Sequence, residues 1–567
     1  MNKFTAANYE DFCEKFTLDI PENYNFAFDV LDVMAEETPD KLCIRHVSDD
    51  FSVRDQSFKE VADASSQVAA ALAAKGIGKG DRVMLILYRR LEWWHVLLGL
   101  HKLGAIAIPA PAQLTVKDIV FRCNKAKTKA VIADYTMTDR VDAAWPECPD
   151  LTLCIQVGPA PMPKEWVDYG TMLSDVAPHF PRPTDKDALA CGKDPMLIFF
   201  SSGTTGMPKM VVHTYEYPLG HLFTGVYWHD LQETDLHLTV ADTGWGKAVW
   251  GKSYGQWMAG AAVFVYDYRG KFNPATLLKV MTENGVTTFC APPTIYRFLV
   301  REDLTQYDLS GLRHCTTAGE LLNESVFHAW KKITGLSIYE GFGQTETTLQ
   351  LATLPCMEAK PGSIGKPVPG WDVCVLNEQG EVCNQGEEGE ICVRLTNNKP
   401  CSLFVEYLDE PELTEKAMHD GWYHTGDKAW VDAEGYFWFL GRVDDLIKTS
   451  GYRVGPFEVE SALVSHDAVM EAAVTGIPDP VRGQVVKATV VLRPGFSSSE
   501  VLTRELQDHV KVVTAPYKYP RVVEYVAELP KTISGKIKRS EIRSRDAEQD
   551  KAKGERSDGE GSVAHGA

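Results

Sequence analysis

Four groups of residues have types and spacings that could do chemistry. The run Ser201-Ser202-Gly203-Thr204-Thr205-Gly206-Met207-Pro208-Lys209 follows the apolar stretch Met196-Leu197-Ile198-Phe199-Phe200 directly. Glycines let backbone approach a polyphosphate, hydroxyls and N–H groups donate to it, and Lys209 adds a point charge. It is not a Walker loop, because Gly203 and Gly206 stand too close together and Met207 follows. A Ser/Gly/Thr cluster is otherwise a polar surface loop. Its position straight after a buried strand favours the phosphate reading.

In Tyr339-Glu340-Gly341-Phe342-Gly343-Gln344-Thr345-Glu346 a strand-like run ends in glycines and presents a hydroxyl and a carboxylate. Thr345 suits a phosphate and Glu346 a hard magnesium ion, although such a pair is also what caps a helix. Asp427 follows Gly426 in Tyr423-His424-Thr425-Gly426-Asp427 and could accept from both hydroxyls of a ribose, or be an exposed turn aspartate. In Asp242-Thr243-Gly244-Trp245-Gly246-Lys247-Ala248-Val249-Trp250-Gly251, Trp245 or Trp250 could close an apolar pocket and set its depth; either could equally be core.

Elements that could position these groups follow from periodicity. Helical spacing over 58–75, 91–103, 116–125 and 274–284 alternates with strand-like runs at 83–87, 105–108, 130–133 and 287–290. Such alternation predicts an α/β fold with stacked parallel or mixed sheets. From about 361 to 441 short β-like pieces with glycine turns predict a β-rich subdomain, and 442–545 a small α+β domain of its own. Residues 546–567 hold almost no large apolar side chain and are expected to be a disordered tail.

The 567 residues are ordinary in composition, with 44% hydrophobic and 24% charged, which excludes collagen, coiled coil and general disorder. Lys+Arg 58 against Asp+Glu 78 leaves a net charge of −20, so nucleic acid is not an expected partner and any anionic ligand must be met locally. Residues 1–15 lack the apolar core of a secretory signal, no stretch suits a membrane span, and the expected compartment is the cytosol. Thirteen cysteines without a Cys-x-x-Cys pair read as reduced thiols. Cys374, Cys383, Cys392 and Cys401 recur at even spacing without a histidine close by, which argues against a zinc site.

With the phosphate loop, the motifs at 339–346 and 423–427, Gly441-Arg442-Val443-Asp444-Asp445-Leu446-Ile447-Lys448 and Pro530-Lys531-Thr532-Ile533-Ser534-Gly535-Lys536, the chain resembles the adenylate-forming superfamily of acyl-CoA synthetases, luciferases and non-ribosomal adenylation domains. It looks most like the medium-chain acyl-CoA synthetases, over about residues 30–543. The resemblance implies ATP, Mg2+ and coenzyme A as cofactors and a small carboxylic acid as substrate. It implies that Lys536, Thr345 and Glu346 are catalytic, with Glu346 on the metal. It implies nucleotide contacts from Ser201 to Gly206, Lys209, Gly319, Glu320, Glu340, Gly341, Phe342, Gly343, Gln344, Asp427 and Arg442.

The same resemblance makes Asp444 a hinge and places Ser450, Gly451 and Tyr452 along a pantetheine channel. Arg453 is implied to assist adenylation, and Arg482 and Lys511 to meet CoA phosphates. Trp245, Lys247, Trp250, Cys290 and His221 are implied to surround the acyl group, with Tyr215 near them. Two departures stand out: Leu321 follows Gly319-Glu320 where proline is common, and Phe342 stands where tyrosine is frequent. The implied reaction is a two-step ligation of a short, branched or medium-chain acid through an acyl-adenylate to its CoA thioester. Alternatives are an acetyl-CoA synthetase, an adenylating enzyme that serves a carrier protein, or a binding protein that has lost catalysis.

If Lys536 neutralises the transferring centre, Lys536→Ala should cut pyrophosphate release by about a hundredfold or more. Thioester formation from supplied acyl-adenylate should be largely spared, and equal loss in the two half-reactions would refute the role.

Overall fold

The computed structural model describes residues 3–159, 161–185, 187–201, 207–395, 399–443, 445–449, 452–479, 481–531 and 537–548. The chain divides into two compact units, one built from residues before 204 with Met207–Val373 and Val393–Tyr423, the other from Cys374–Cys392 and the chain from His424 onward.

The helices of the first unit begin where the sequence offers capping chemistry. Ser57 accepts from the backbone of Glu60, whose carboxylate returns to the Ser57 N–H, and the helix Phe58–Ala74 follows. Thr115 and Asp118 do the same for Val116–Ala126. The helix Leu91–Leu103 ends at Gly104, whose φ of 84° would strain any side chain. These helices alternate with the strands Arg82–Ile86, Ile106–Pro109 and Ala130–Asp134, as the periodicity predicts.

Two sheets result. The seven-stranded sheet runs in the order Val167–Asp168, Leu153–Val157, Ala130–Asp134, Arg82–Ile86, Ile106–Pro109, Pro195–Ser201, Lys209–Thr214. Its members are parallel except the last pair, which is antiparallel with Ser201 opposite Lys209. All five residues of Ala130–Asp134 are buried, as expected for a parallel strand covered on both faces. The nine-stranded sheet has a parallel centre in which Thr288–Cys290, His314–Ala318 and Ile338–Gly343 lie side by side, and it turns antiparallel at Leu349–Ala352. Its core packs Leu278, Phe289, Tyr296, Cys315 and Trp330. The functional segments leave from the ends of these strands, so the sheets set their separation.

In the second unit the strand Phe437–Arg442 pairs antiparallel with Trp422–Val431, bringing Asp427 opposite Arg442. A separate sheet of Ile447–Thr449, Tyr452–Val454, Val469–Asp479, Gly483–Leu492 and Val522–Tyr525 is covered by the helices Pro456–Val464 and Glu500–Val513. Leu463, Val474, Val490, Leu506 and Val510 form its core. Glu460, buried beneath this layer, accepts from Arg539 and from the Val474 N–H. Asp546, expected to begin the tail, is instead buried and pairs with Lys487; residues from 549 lie outside those described. No helix among the described residues is long and apolar enough to cross a membrane.

Leu506 is fully buried, and Leu506→Ala should lower the unfolding free energy of the unit that holds it by about 2–5 kcal/mol. A urea titration read on that unit checks this, and a loss below about 1 kcal/mol would mean that the helix packs less tightly than its burial indicates.

Candidate functional site

The strand Ile338–Gly343 is the platform on which the first unit's site is assembled. A Cβ on Gly341 would stand 2.8 Å from Trp228 Cζ2, and one on Gly343 would stand 2.2 Å from the Thr348 carbonyl oxygen and 2.6 Å from Trp250 Cη2. Only hydrogen fits at both positions, so the indoles rest directly on the backbone. Trp250 is also held by its Nε1–H, which donates to Tyr217 Oη at 3.2 Å.

Beyond the platform the chain turns to Thr345 and Glu346. The Thr345 carbonyl accepts from His213 Nε2 at 2.7 Å, and burial lowers the pKa of this imidazole to about 4, so it is neutral. Glu346 is 7% exposed, and one carboxylate oxygen accepts from the Tyr407 hydroxyl at 2.8 Å. The Lys209 ammonium lies over the Tyr407 ring, 4.1 Å from its centre. Lys209, Tyr407 and Glu346 therefore form one line from the strand pair that closes at Ser201 to the acidic end of the motif at 339–346. A carboxylate fixed by a hydroxyl is a hard oxygen donor of the kind Mg2+ takes.

Gly319 has a φ of 96°, and the neighbouring Ala318 carbonyl accepts from the Lys247 ammonium. Glu320 accepts from the Thr294 hydroxyl at 2.7 Å. The Glu340 carboxylate is turned inward, accepting from the Leu322 N–H at 3.0 Å and the Gly362 N–H at 3.3 Å. Burial outweighs both donors and raises its pKa to about 8. Glu340 thus acts on the 319–322 loop as an anchor. Gln344 accepts from the Tyr423 hydroxyl at 2.6 Å, and Phe342 lies partly buried between the two glycines.

A narrow crevice, too tight to admit a water molecule, is walled by Trp228, His229, Thr239, Lys247, Trp250 and Cys290. Three of the five expected acyl-site residues, Lys247, Trp250 and Cys290, meet here. His221 is next to it, fully buried, with its ring centre 6.1 Å from that of Trp250. Trp245 precedes the helix Gly246–Lys252, is partly exposed, and is not among the cavity walls. Tyr215 is buried and donates to the His101 carbonyl.

In the second unit Asp427 is 4% exposed and pairs with Arg442 at 3.2 Å, while Arg442 also donates to the Thr425 carbonyl at 3.0 Å. Gly426 has a φ of 70°, and its N–H donates to Glu390 Oε1 at 2.8 Å. The other Glu390 oxygen meets His424 Nδ1 at 3.1 Å, and Cys392 Sγ lies 3.5 Å from the same nitrogen. Folding thus supplies the histidine that the spacing of Cys392 in the sequence lacked, and Glu390, Cys392 and His424 form a trio under the Asp427 turn. Tyr452 stacks on Tyr517 with ring centres 4.3 Å apart. Lys511 pairs with Asp508 at 2.8 Å and lies over the Tyr519 ring. Arg482 is partly buried, with its backbone N–H on Asp479.

Ser202, Gly203, Thr204, Thr205, Gly206, Asp444, Ser450, Gly451 and Lys536 lie outside the described residues, as does the Arg453 side chain. Sequence reasoning missed Tyr407, His213, Trp228 and His229. Tyr407 and His213 meet their partners 61 and 132 positions away, for which linear spacing carries no signal. Trp228-His229 was visible only as a polar ring in an apolar run.

The family described as AMP-binding enzyme matches residues 31–401, and the AMP-binding enzyme C-terminal domain matches residues 458–536. The chain is 43% identical over 556 residues to the mitochondrial acyl-coenzyme A synthetase ACSM4 of Rattus norvegicus, covering 96% of this chain and 93% of that one. It is 43% identical over 537 residues to the mitochondrial ACSM5 of Homo sapiens, covering 93% and 91%. Among solved structures it is similar to the anthranilate CoA ligase AuaEII in complex with anthranoyl-AMP, with a TM-score of 0.85, 30% identity, and 93% and 98% of the chains covered. An acyl-CoA synthetase of Brucella canis gives a TM-score of 0.73 at 29% identity, covering 96% and 99%.

Because folding raises the Glu340 pKa from its ordinary 4.5 to about 8, the native state holds a proton that the unfolded chain gives up. This group's contribution to stability is therefore largest below about pH 4.5 and falls as pH rises toward 8. Glu340→Gln should flatten that slope in denaturant titrations across pH 5 to 8; an unchanged slope would show that the carboxyl is ionised when folded.

Proposed function

The chain belongs to the AMP-binding enzyme family, and we propose that the acid it activates is a short or methyl-branched carboxylic acid. It is an AMP-forming acid–CoA ligase that uses ATP, Mg2+ and coenzyme A. The observation that carries the choice of acid is Trp250, seated on side-chain-free Gly343 and tied to Tyr217, which narrows the crevice we assign to the acyl group.

In the first half-reaction a substrate carboxylate oxygen forms a bond to the α-phosphorus of ATP, and the bond to pyrophosphate breaks. In the second, the CoA sulfur bonds to the acyl carbon as AMP departs with the electron pair of the acyl–oxygen bond. The acid is already ionised, so positioning and charge neutralisation are the protein's task. Lys209 and the loop it closes are assigned to the phosphates, Thr345 to the transferring phosphate and Asp427, with Arg442 beside it, to the ribose hydroxyls. Glu346 would hold the magnesium, which neutralises phosphate charge. Gly319 and Glu320, on the loop that Glu340 anchors, would form the wall beside the adenine.

Lys536 is assigned to the adenylation step, delivered and withdrawn by rotation of the domain from 442 about Asp444. Gly451 would admit the pantetheine chain, and Arg482 and Lys511 would meet the CoA phosphates. Thirteen free thiols suit a reducing compartment, and the cytosol is our assignment, although the named relatives are mitochondrial.

The test is pyrophosphate and AMP release with Mg-ATP and CoA over acids from acetate to dodecanoate, with 2-methyl and aryl acids included. The maximum is expected at propionate, butyrate or their methyl-branched homologues, with AMP release dependent on CoA. Trp250→Ala should move the maximum to longer acids, and an unmoved profile would remove Trp250 from the pocket. Silence across the panel would favour the carrier-dependent reading.

A further inference from the structure

One face of the sheet that carries Asp427 gathers metal-binding side chains from three neighbouring strands. The strand Val373–Leu376 lies beside Gly389–Arg394, which lies beside Trp422–Val431. The first pair is antiparallel: the Arg394 N–H donates to the Asp372 carbonyl at one end, and Gly389 backs onto the Leu376 carbonyl at the other. The second pair is antiparallel too, with the Leu395 N–H on the Gly421 carbonyl and the Thr425 hydroxyl on the Ile391 carbonyl.

Side chains on a strand return to the same face every second residue. One cross-strand row on this face is Asp372, Arg394 and Trp422, where Arg394 Nε meets Asp372 at 2.9 Å and the guanidinium lies 4.2 Å from the indole centre. Two residues further along each strand, the same register sets Cys374, Cys392 and His424 side by side. Glu390 falls on the diagonal from His424, opposite Gly426.

These side chains converge. Glu390 Oε2 lies 3.1 Å from His424 Nδ1 and Cys392 Sγ lies 3.5 Å from it, and the three atoms are all within 4.8 Å of one another. A ring nitrogen makes one hydrogen bond in its plane, so a proton on Nδ1 can serve the carboxylate or the thiol but not both. A cation in the proton's place meets all three. Glu390 is already oriented for this, because its other oxygen accepts from the Gly426 N–H at 2.8 Å. Cys374 is close enough to act electrostatically on the Cys392 thiol.

The donor set selects the ion. A thiolate beside an imidazole suits zinc, whereas Mg2+ takes oxygen ligands. Structural zinc is four-coordinate, and Cys374 supplies a second thiol in the same row. Each ligating thiol gives its proton to solvent as its sulfur bonds to the metal. The His424 and Glu390 side chains are 20% and 25% exposed, which leaves an entry from the sheet surface.

We propose that Glu390, Cys392 and His424, completed by Cys374, bind a structural zinc ion that clamps the strands beneath the Asp427 turn. The proposal does not depend on which acid the enzyme activates.

The test uses the full chain, stripped with a chelator under a thiol-free reductant and titrated with Zn2+ against a chromophoric competitor in excess Mg2+. One Zn2+ per chain is expected. Co2+ in its place should give the visible bands of a tetrahedral site and a near-ultraviolet thiolate charge-transfer band. Cys392→Ser, His424→Gln and Glu390→Gln should each lower Zn2+ affinity by about a hundredfold or more. Cys13→Ser, at an exposed thiol elsewhere, should leave it unchanged. Zn2+ should also raise the melting temperature of the wild type and not that of Cys392→Ser, since an ion that binds only the folded state stabilises it. The wild-type titration needs no variant to fold, and the melts check those that are made. Failure to bind Zn2+ in the presence of Mg2+, or a Co2+ spectrum without the thiolate band, overturns the proposal. Binding that survives both Cys392→Ser and His424→Gln puts the ion at other thiols and overturns it as well. Affinity unchanged in Cys374→Ser overturns that residue as the fourth ligand.

Discussion

Two indoles lie face to backbone on a strand that carries only hydrogen atoms toward them, and this close approach governs the rest of the first unit's site. Trp228 against Gly341 and Trp250 against Gly343 set how closely the crevice walls approach the strand. The same strand then delivers Gln344, Thr345 and Glu346, so the width of the crevice and the position of the polar residues are set by one element. A side chain at either glycine would have to displace packed indole or backbone, and interiors packed to crystal density have no slack for that. The chain therefore couples the width of this crevice to where it presents Gln344, Thr345 and Glu346.

The charge problem is handled equally locally. A protein of net charge −20 must meet an anionic nucleotide, and the cations we assign to it are few and held by named partners. Lys209 is oriented by the Tyr407 ring, and Arg442 by Asp427 and a backbone carbonyl. The imidazoles packed behind the platform contribute no charge, since burial pushes His213, His221 and His229 below the usual histidine range. They act as neutral wedges, to which His213 and His229 add directional hydrogen bonds.

Much of the scaffold could be read from the sequence because its cues are local. Ser57 with Glu60 and Thr115 with Asp118 announce their helices, and Gly104 ends another. The order of motifs identified the family, and Trp250, Lys247 and Cys290 were singled out before folding placed them in one wall. Contacts made across long stretches of chain stayed hidden. Nothing near Glu346 announces Tyr407, and nothing near Thr345 announces His213. Cys392 and His424 are unremarkable 32 positions apart and become neighbours only when their strands are set side by side. Glu340 illustrates the opposite failure: its place in a nucleotide motif suggests a ligand contact, whereas its carboxylate is spent on two backbone N–H groups. The burial that decides this is a property of the assembled sheet.

The line from Lys209 through Tyr407 to Glu346 has a thermodynamic meaning as well as a geometric one. It joins a residue assigned to polyphosphate with one assigned to the metal by a shared aromatic ring, so the two ligands are in contact through the protein before either touches the other. Linkage is symmetrical: whatever factor a divalent ion on Glu346 adds to nucleotide affinity by way of this ring, the nucleotide must add to the affinity for the ion. The enzyme is thereby disposed to take up metal and nucleotide as a joint event, and the single phenol oxygen at Tyr407 is where the two affinities are reconciled.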